Sequence, residues 1–133
     1  RSVPLRPVMS LISEVATIRY FEQGEYVSYG RRFGVTKRSK IATLPVGYAD
    51  GVPRTLTGKF SVMSKMNTYP QVGTITMDRI MIDCGDAPVN KNDKVILFGE
   101  DHVSADYWAA LAGTISYEIT CGISARVPRE YIE

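Results

Sequence analysis

Short apolar runs, separated by glycines and other turn-forming residues, set the pattern of the chain. Runs of this kind, rich in β-branched and aromatic residues, are typical of strands. They fall at 8–21, 26–29, 41–44, 60–63, 68–83, 94–98 and 115–123. In the first run apolar residues occupy both parities, which predicts one long strand or a bent pair, covered at least partly on both faces. Gly73 and the pair Met77-Asp78 predict a bulge or a change of strand inside 68–83.

One helix is predicted after the run that ends at Phe98-Gly99. Ser104 is a suitable N-cap, Asp106 lies in the first turn where the helix dipole favours a carboxylate, and Gly113 can end the helix. Val103 and Trp108 then occupy the positions of a hydrophobic staple.

The remaining segments predict loops, and together these elements predict a fold class. Residues 31–40 and 52–58 contain glycine or proline and have no regular period, so we expect loops there. Many short strands with one short helix predict a mainly β fold, as a small closed or partly open β-barrel or a sandwich. The chain has 133 residues, which fits a single β-rich domain over 1–133.

Composition and charge narrow the classes of function. Hydrophobic residues make up 44% and charged residues 23%, as in ordinary globular domains. No apolar run is long enough for a membrane span. The net charge is +2, and the basic stretch within 31–40 lacks the stacking aromatics of a nucleic-acid patch, which favours a solvated loop. The chain starts without Met or a signal peptide, so we expect a piece of a longer protein.

The cysteines and the single histidine offer little chemistry. Cys84 and Cys121 are too few for a disulfide framework and lack metal-ligand spacing, so no metal site is expected. Their number is consistent with a reducing cytoplasm. His102 would be needed for a Ser-His-Asp arrangement, but it lies beside Asp101 just before the helix cap, a setting typical of a surface loop.

The stretch Pro45–Gly51 is the strongest candidate for a site. It ends a strand-like run, and Gly47 and Gly51 bracket Tyr48 at a turn. Such glycines allow unusual backbone conformations and close approach of a ligand. Tyr48 could present its hydroxyl as a fixed acid or base, or it could pack in the core beside an Asp-Gly turn.

Two further positions carry open alternatives. Asp78 and Asp83 flank an apolar strand. They are either paired carboxylates of a site or strand-end residues whose oxygens accept hydrogen bonds from backbone amides. Tyr117, inside the run 115–123, is a cross-strand aromatic or a phenol that donates a hydrogen bond to an anion such as a phosphate.

Several ordered motifs resemble the carboxy-terminal domain of alanine racemases. The motifs occur in the same order as in that family and together cover nearly the whole chain, so the set is more specific than any single motif. They are the run Ile41–Gly51 with Gly47-Tyr48-Ala49-Asp50-Gly51, Val72-Gly73, Met77-Asp78, Leu97-Phe98-Gly99, Ile115-Ser116-Tyr117-Glu118 and Arg126-Val127-Pro128-Arg129.

The resemblance implies a two-domain enzyme that uses pyridoxal 5′-phosphate and interconverts L- and D-alanine, a peptidoglycan precursor. An amino-terminal (α/β)-barrel, absent from this chain, would carry the Schiff-base lysine. The active site would form across a homodimer, between the barrel of one subunit and the β-domain of the other. The chain alone is therefore expected to be inactive.

The resemblance also implies residue roles. Tyr48 would be the catalytic tyrosine, the backbone amide of Met77 would meet the substrate carboxylate, and Tyr117 would contact the cofactor phosphate. Racemisation needs acid/base groups on opposite faces of the substrate. A free tyrosine has a pKa near 10, so a phenol acting as a base near neutrality needs neighbours, which by resemblance come from the barrel.

The sequence departs from the family at three positions. Thr74, Thr76 and Arg79 stand where the family often has Arg, Cys and Gln. Thr74 could alter the charge at the substrate entrance, so serine stays open as a second substrate. The rival interpretations are a non-catalytic β-barrel interaction module and a racemase domain within a larger fusion.

A domain without its barrel is expected to expose apolar surface. Phe60, Met63, Met66 and Tyr69 are candidates for that surface or for ordinary core.

Overall fold

The computed structural model describes residues 9–27, 33–99 and 104–130. Within these ranges the chain is mainly β, with 35% strand and 18% helix. The strands are β1 Leu11–Glu14, β2 Thr17–Phe21, β3 Tyr26–Val27, β4 Phe33–Gly34, β5 Ser39–Leu44, β6 Ser61–Ser64, β7 Asn67–Val72, β8 Ile80–Gly85 and β9 Lys94–Phe98. The helices are α1 Ala105–Ala112 and α2 Ser116–Cys121, with 3₁₀ turns at Tyr48–Asp50 and Arg54–Leu56.

Seven of the described strands form one antiparallel sheet in the order β1-β9-β6-β7-β8-β5-β2. Its two edge strands, β1 and β2, are separated in the chain by Val15 and Ala16 alone. The amide of Val15 donates to Asp93 O (3.0 Å) and the amide of Ala16 donates to Thr43 O (2.8 Å). The connection thus joins opposite edges, and the sheet must curl into a half-barrel. The predicted bent pair and partly open barrel are confirmed.

Helix α1 packs its one tryptophan into the main core. Trp108 is fully buried, and its ring meets those of Phe60 and Phe98 edge-on at centroid distances of 5.0 and 5.1 Å. Ser104 Oγ accepts a hydrogen bond from the Tyr107 amide, and Gly113 ends the helix with φ 73°. The predicted helix and both of its caps are confirmed, while Val103 of the predicted staple lies outside the described residues.

A smaller core covers the outer face of part of the sheet. The β3–β4 hairpin contributes to a cluster that contains Phe21, Val27, Val35, Ile41 and Val72. Because this strand region is covered on both faces, apolar residues occur on both of its parities. Strand β4 and the first two residues of β5 lie inside the segment predicted to be a loop over 31–40, so that prediction is wrong at 33–34 and at 39–40. Residues 31–32 lie outside the described part.

The strand predicted over 115–123 is wrong, because helix α2 occupies 116–121. Ile119 and Ile123 are buried, and they are four residues apart, which is one helical turn. Ile115 and Tyr117 are instead 61% and 75% exposed. The β-branched content of the segment suggested a strand. A strand would bring Tyr117 and Cys121 to the same face as Ile119 and Ile123, but both of those residues are exposed, so the burial pattern fits a helix.

Two other predictions concern strand changes and exposed surface. The predicted change of strand within 68–83 is confirmed, since β7 ends at Val72 and β8 begins at Ile80. Of the four residues considered for exposed apolar surface, Phe60, Met63 and Tyr69 are buried and belong to the core, whereas Met66 is 90% exposed. Among the described residues no helix has both the length and the apolar character needed to cross a membrane.

Candidate functional site

The turn that carries Tyr48 is closed by its own residues. The Gly47 amide donates to Asp50 Oδ2 (2.9 Å), and the Asp50 amide donates back to Gly47 O (3.0 Å). Gly51 ends the 3₁₀ turn with φ 113°, a left-handed conformation that favours glycine. An aspartate three residues after the first glycine therefore fixes the direction in which Tyr48 leaves the turn.

Gly47 lets a second segment of the chain approach this turn. A Cβ atom at Gly47 would lie 2.2 Å from Thr76 O. The amide of Tyr48 donates to Thr76 O (3.0 Å) and that of Ala49 to Met77 O (2.9 Å). Tyr48 and Met77, 29 positions apart in the sequence, are thus brought together by backbone hydrogen bonds. The close approach that the glycine permits is to the chain itself rather than to a ligand.

Both residues lie at the surface of the domain. The side chains of Tyr48 and Met77 are about half exposed, so the alternative that Tyr48 packs in the core is wrong. Met77 lies in a turn in which the Thr76 amide donates to Arg79 O (3.1 Å) and the Arg79 amide donates to Thr76 Oγ1 (3.1 Å). No described residue accepts a hydrogen bond from the Met77 amide. An open amide in such a turn can bind an anion.

Tyr117 lies in the first turn of α2 and is exposed. The segment after α2 packs on the Tyr48 turn, because a Cβ at Gly51 would lie 2.5 Å from Gly122 O. The helix that carries Tyr117 is therefore connected to the turn that carries Tyr48, with its phenol in solvent. The cross-strand alternative for Tyr117 is wrong.

Three residues after α2 complete this arrangement, and the sequence prediction missed their role. Arg126 Nε lies 2.7 Å from Asp50 Oδ1, and the Ser124 amide donates to Asp50 O (3.1 Å). Arg129 donates from Nη1 to the carbonyls of Ser124 and Val127, and from Nη2 to that of Ile123. The Arg126–Arg129 motif is visible in the sequence, but Asp50, the partner of Arg126, lies far away along the chain.

The other candidate residues have structural partners. Asp83 Oδ1 accepts a hydrogen bond from the Gly85 amide (2.9 Å), and Asp78 lies 3.7 Å from Arg79 Nε. The strand-end interpretation therefore holds for Asp83. Asp101 and His102 lie outside the described residues.

The cysteines are free, and Cys84 is buried while Cys121 is exposed. Burial, with the neighbouring Asp83 carboxylate, raises the pKa of the Cys84 thiol to about 11. Among the residues that the structure describes, no group of three or more His, Cys, Asp or Glu could hold a metal ion.

Two basic side chains of the segment 31–40 make contacts with neighbouring residues. Arg38 Nε donates to Glu22 Oε2 (3.0 Å) and its guanidinium lies 4.5 Å from the centre of the Tyr20 ring. Lys40 Nζ donates to the carbonyls of Ala87 and Val89. The predicted solvated loop is thus correct for the exposed Arg38 and wrong for Lys40, which is partly buried in strand β5.

Thr74 lines a polar pocket beside the turn at Thr76. The pocket has a volume of about 360 Å³ and is lined by Arg54, Thr55, Thr57, Lys59 and Thr74. Thr74 therefore lies in a pocket that two cationic side chains, those of Arg54 and Lys59, also line.

Comparison with known proteins gives a consistent result. A family model described as "Alanine racemase, C-terminal domain" matches residues 8–131. Alanine racemase 1 of Clostridium acetobutylicum is 49% identical over 97% of this chain and 34% of the relative. Alanine racemase of Symbiobacterium thermophilum is 44% identical over 97% of this chain and 35% of the relative. The chain thus spans about a third of the length of these relatives.

Solved structures agree in fold. The alanine racemase of Clostridium difficile 630, in complex with cycloserine, superposes with a TM-score of 0.86 at 43% identity, over 92% of this chain and 33% of that one. The alanine racemase of D-cycloserine-producing Streptomyces lavendulae gives a TM-score of 0.92 at 34% identity, over 97% and 35%.

Proposed function

Since the chain belongs to the family of alanine racemase carboxy-terminal domains, we propose that it completes the active site of an alanine racemase. The full-length protein would use pyridoxal 5′-phosphate, bound mainly by an amino-terminal barrel, and interconvert L- and D-alanine in the cytoplasm. The observation that carries the proposal is the pairing of an exposed phenol at Tyr48 with an open amide at Met77, joined through two backbone hydrogen bonds.

The Met77 amide is proposed to bind the substrate carboxylate. It lies in a turn stabilised by hydrogen bonds between Thr76 and Arg79, so its direction is fixed before a substrate arrives. A preorganised donor loses little entropy on binding. A carboxylate held there would lie beside the backbone of Tyr48.

Tyr48 is proposed to exchange the α-proton on the face of the substrate opposite the barrel lysine. Tyr48 is about half exposed and its backbone is anchored at the amide, so the phenol can be presented to a second domain. Among the described residues no charged side chain makes a hydrogen bond or an ion pair with this phenol. The groups that would stabilise a phenolate must therefore come from the barrel.

Tyr117 is proposed to donate a hydrogen bond to the phosphate of the cofactor. The exposed phenol on α2 fits that role, because a neutral donor in solvent can reach an anion held by another domain. When bound, the cofactor accepts the electrons left by removal of the α-proton. The chain's own contribution is to orient the substrate and to move the proton.

The proposed assembly is a homodimer in which this domain faces the barrel of a second subunit. Tyr48, Met77, Ile115 and Tyr117 are all exposed in this chain. Apolar and aromatic side chains at a surface are typical of interfaces. An interface there would cover them.

The test is alanine racemisation by the full-length protein with Tyr48→Phe. We expect kcat to fall about 100-fold or more, since a positioned acid/base contributes at least that much. Tyr107→Phe is the matched control, because Tyr107 is similarly exposed but lies on α1, and its rate should be unchanged. A non-catalytic interaction module would lose no activity with either substitution.

The effect of Tyr48→Phe is also compared with that of the same substitution at a second tyrosine, Tyr29. Tyr29 precedes Gly30 at the end of the predicted run 26–29 and lies outside the described residues. If Tyr29→Phe abolishes racemisation while Tyr48→Phe leaves kcat within about threefold, the proton-transfer role belongs to Tyr29 and the proposal for Tyr48 fails. The same assay with L-serine tests the second substrate.

A further inference from the structure

We propose that Asp50 and Arg126 form a clamp that positions helix α2, and with it Tyr117, relative to Tyr48 and Met77. The inference rests on the proposed function, since it assigns a positioning role within that site. The clamp residues touch neither substrate nor cofactor in the proposal. They act by fixing the distance between the two groups of residues that do.

The clamp is built on a buried carboxylate with both oxygens occupied. Asp50 is only 6% exposed. Its Oδ2 accepts from the Gly47 amide at 2.9 Å, and its Oδ1 lies 2.7 Å from Arg126 Nε. A carboxylate this buried depends on its cation, because removing one partner leaves an uncompensated charge.

Two further contacts tie the same segments together. The Ser124 amide donates to Asp50 O, and Gly51 packs directly on the Gly122 backbone. There is no space for the turn and the segment after α2 to slide past each other without breaking the ion pair.

The segment that presents Arg126 is itself stiffened. Arg129 donates to the carbonyls of Ile123, Ser124 and Val127 from its two terminal nitrogens. A guanidinium that binds three carbonyls fixes the curve of the backbone around Arg126. Arg126 therefore acts from a rigid support.

Helix α2 depends on these contacts for its position. It has six residues, of which Ile119 alone is buried, and a helix this short has little stability of its own. Its place is set by Ile119 and Ile123 in the core and by the clamp that follows. Tyr117, in its first turn, moves when the helix moves.

The link between Tyr48 and Met77 does not pass through the clamp. It consists of the hydrogen bonds from the Tyr48 and Ala49 amides to Thr76 O and Met77 O. Breaking the clamp should thus displace the cofactor contact more than the carboxylate contact. The expected signature is weaker retention of pyridoxal phosphate and a lower kcat, with KM for alanine nearly unchanged.

The experiment uses the full-length protein with Arg126→Gln, and measures pyridoxal phosphate affinity by absorbance alongside kcat and KM. We expect the dissociation constant of pyridoxal phosphate to rise about tenfold and kcat to fall about tenfold, with KM within about threefold. A displacement smaller than about 1 Å should cost less than the roughly 100-fold that a misplacement of that size can cost. Adding Asp50→Asn to Arg126→Gln should recover part of both losses, since it removes the unpaired carboxylate. Arg126→Lys, which keeps the charge, should fall between.

The matched control is Lys65→Gln. Lys65 Nζ lies 3.2 Å from Asp93 Oδ2, whose side chain is also mostly buried, but Lys65 lies at the β6–β7 turn and Asp93 just before β9. The Lys65→Gln substitution should leave cofactor affinity unchanged. If Arg126→Gln keeps that affinity within about twofold of wild type, or Lys65→Gln changes it equally, the inference is wrong.

Two results decide the remaining cases. If Arg126→Gln does not fold, Arg126→Lys must still weaken cofactor affinity about threefold or more, or the inference is wrong. If the wild-type protein racemises alanine but the Arg126→Gln and Lys65→Gln variants have the same pyridoxal phosphate affinity, the clamp alone is overturned. A wild-type protein that neither racemises alanine nor binds pyridoxal phosphate overturns the proposed function and the clamp together.

Discussion

At the scale of single residues, Gly47 has no room for a side chain. Its φ of −155° is open to any residue, so the constraint is contact and not backbone strain. A Cβ would lie 2.2 Å from Thr76 O and 2.6 Å from Met77 O. We predict that Gly47→Ala lowers the free energy of unfolding by roughly 3 kcal/mol, measured by urea denaturation.

Gly58 provides the matched control for that substitution. It has a φ of 69°, but no atom lies within 4 Å of a Cβ built there. Gly58→Ala should cost only about 1 kcal/mol, the strain of the left-handed conformation. If the two substitutions cost the same, close packing at Gly47 does not hold the two segments together.

Cys84 provides a prediction about pH. Burial raises the pKa of its thiol from the ordinary value of 9.0 to about 11. Above pH 9 the unfolded chain loses this proton while the folded chain keeps it. The contribution to stability is therefore complete below pH 9 and is lost as the pH rises towards 11, by roughly 2–3 kcal/mol.

The Cys84 contribution is isolated by comparison with Cys84→Val, which has similar volume and no titrating group. The free energies of unfolding of the two proteins should run parallel from pH 7 to 8.5, and the wild type should lose more between pH 9 and 11. Curves that remain parallel over the whole range would show that Cys84 ionises as easily in the folded protein as in the unfolded one.

At the scale of elements, the turn of the β6–β7 hairpin places two non-glycine residues in the left-handed backbone conformation. Lys65 and Met66 have φ of 49° and 69°, in the left-handed region where a side chain is strained. Met66 is 90% exposed, so its side chain contributes little packing. We predict that Met66→Gly raises the free energy of unfolding by about 0.5–1 kcal/mol.

Asn92 is the matched control for the hairpin. It also has a positive φ, of 72°, but asparagine tolerates that conformation. Asn92→Gly should therefore stabilise the chain less than Met66→Gly, as read from thermal unfolding. An equal gain at both positions would show that strain at the hairpin is not the cause.

Elements were predictable where local chemistry and burial agreed. Helix α1 has a serine cap, a glycine stop and a tryptophan for the core, and each of these signals is local. Strand β9 ends at Gly99 in the same way. Helix α2 has no side-chain cap, and its β-branched residues favour a strand. The spacing of Ile119 and Ile123 fits a strand face as well as a helix. What distinguishes the helix is that Tyr117 and Cys121 are exposed, and that exposure cannot be read from the sequence.

At the scale of the molecule, the sequence identified residues of the candidate site but not the contacts that connect their segments. Tyr48, Met77 and Tyr117 are found through motifs, yet the contacts between their segments depend on Gly47 packing on Thr76 and Gly51 on Gly122. Those contacts join segments far apart along the chain. The partners of Asp50 depend on the same long-range packing, so neither the clamp nor its direction could be predicted from spacing.

The last prediction concerns the chain expressed by itself. It exposes apolar and aromatic side chains that include Ile12, Ile115 and Tyr117, and exposed apolar surface promotes association. We expect weak self-association in analytical ultracentrifugation, increasing with protein concentration and reduced by Ile115→Lys. Met66→Lys is the control, because Met66 is more exposed than Ile115 but lies alone at a hairpin tip. A protein that sediments only as a monomer at high concentration would show that these side chains do not mediate self-association. Equal effects of the two lysine substitutions would instead assign the association to net charge.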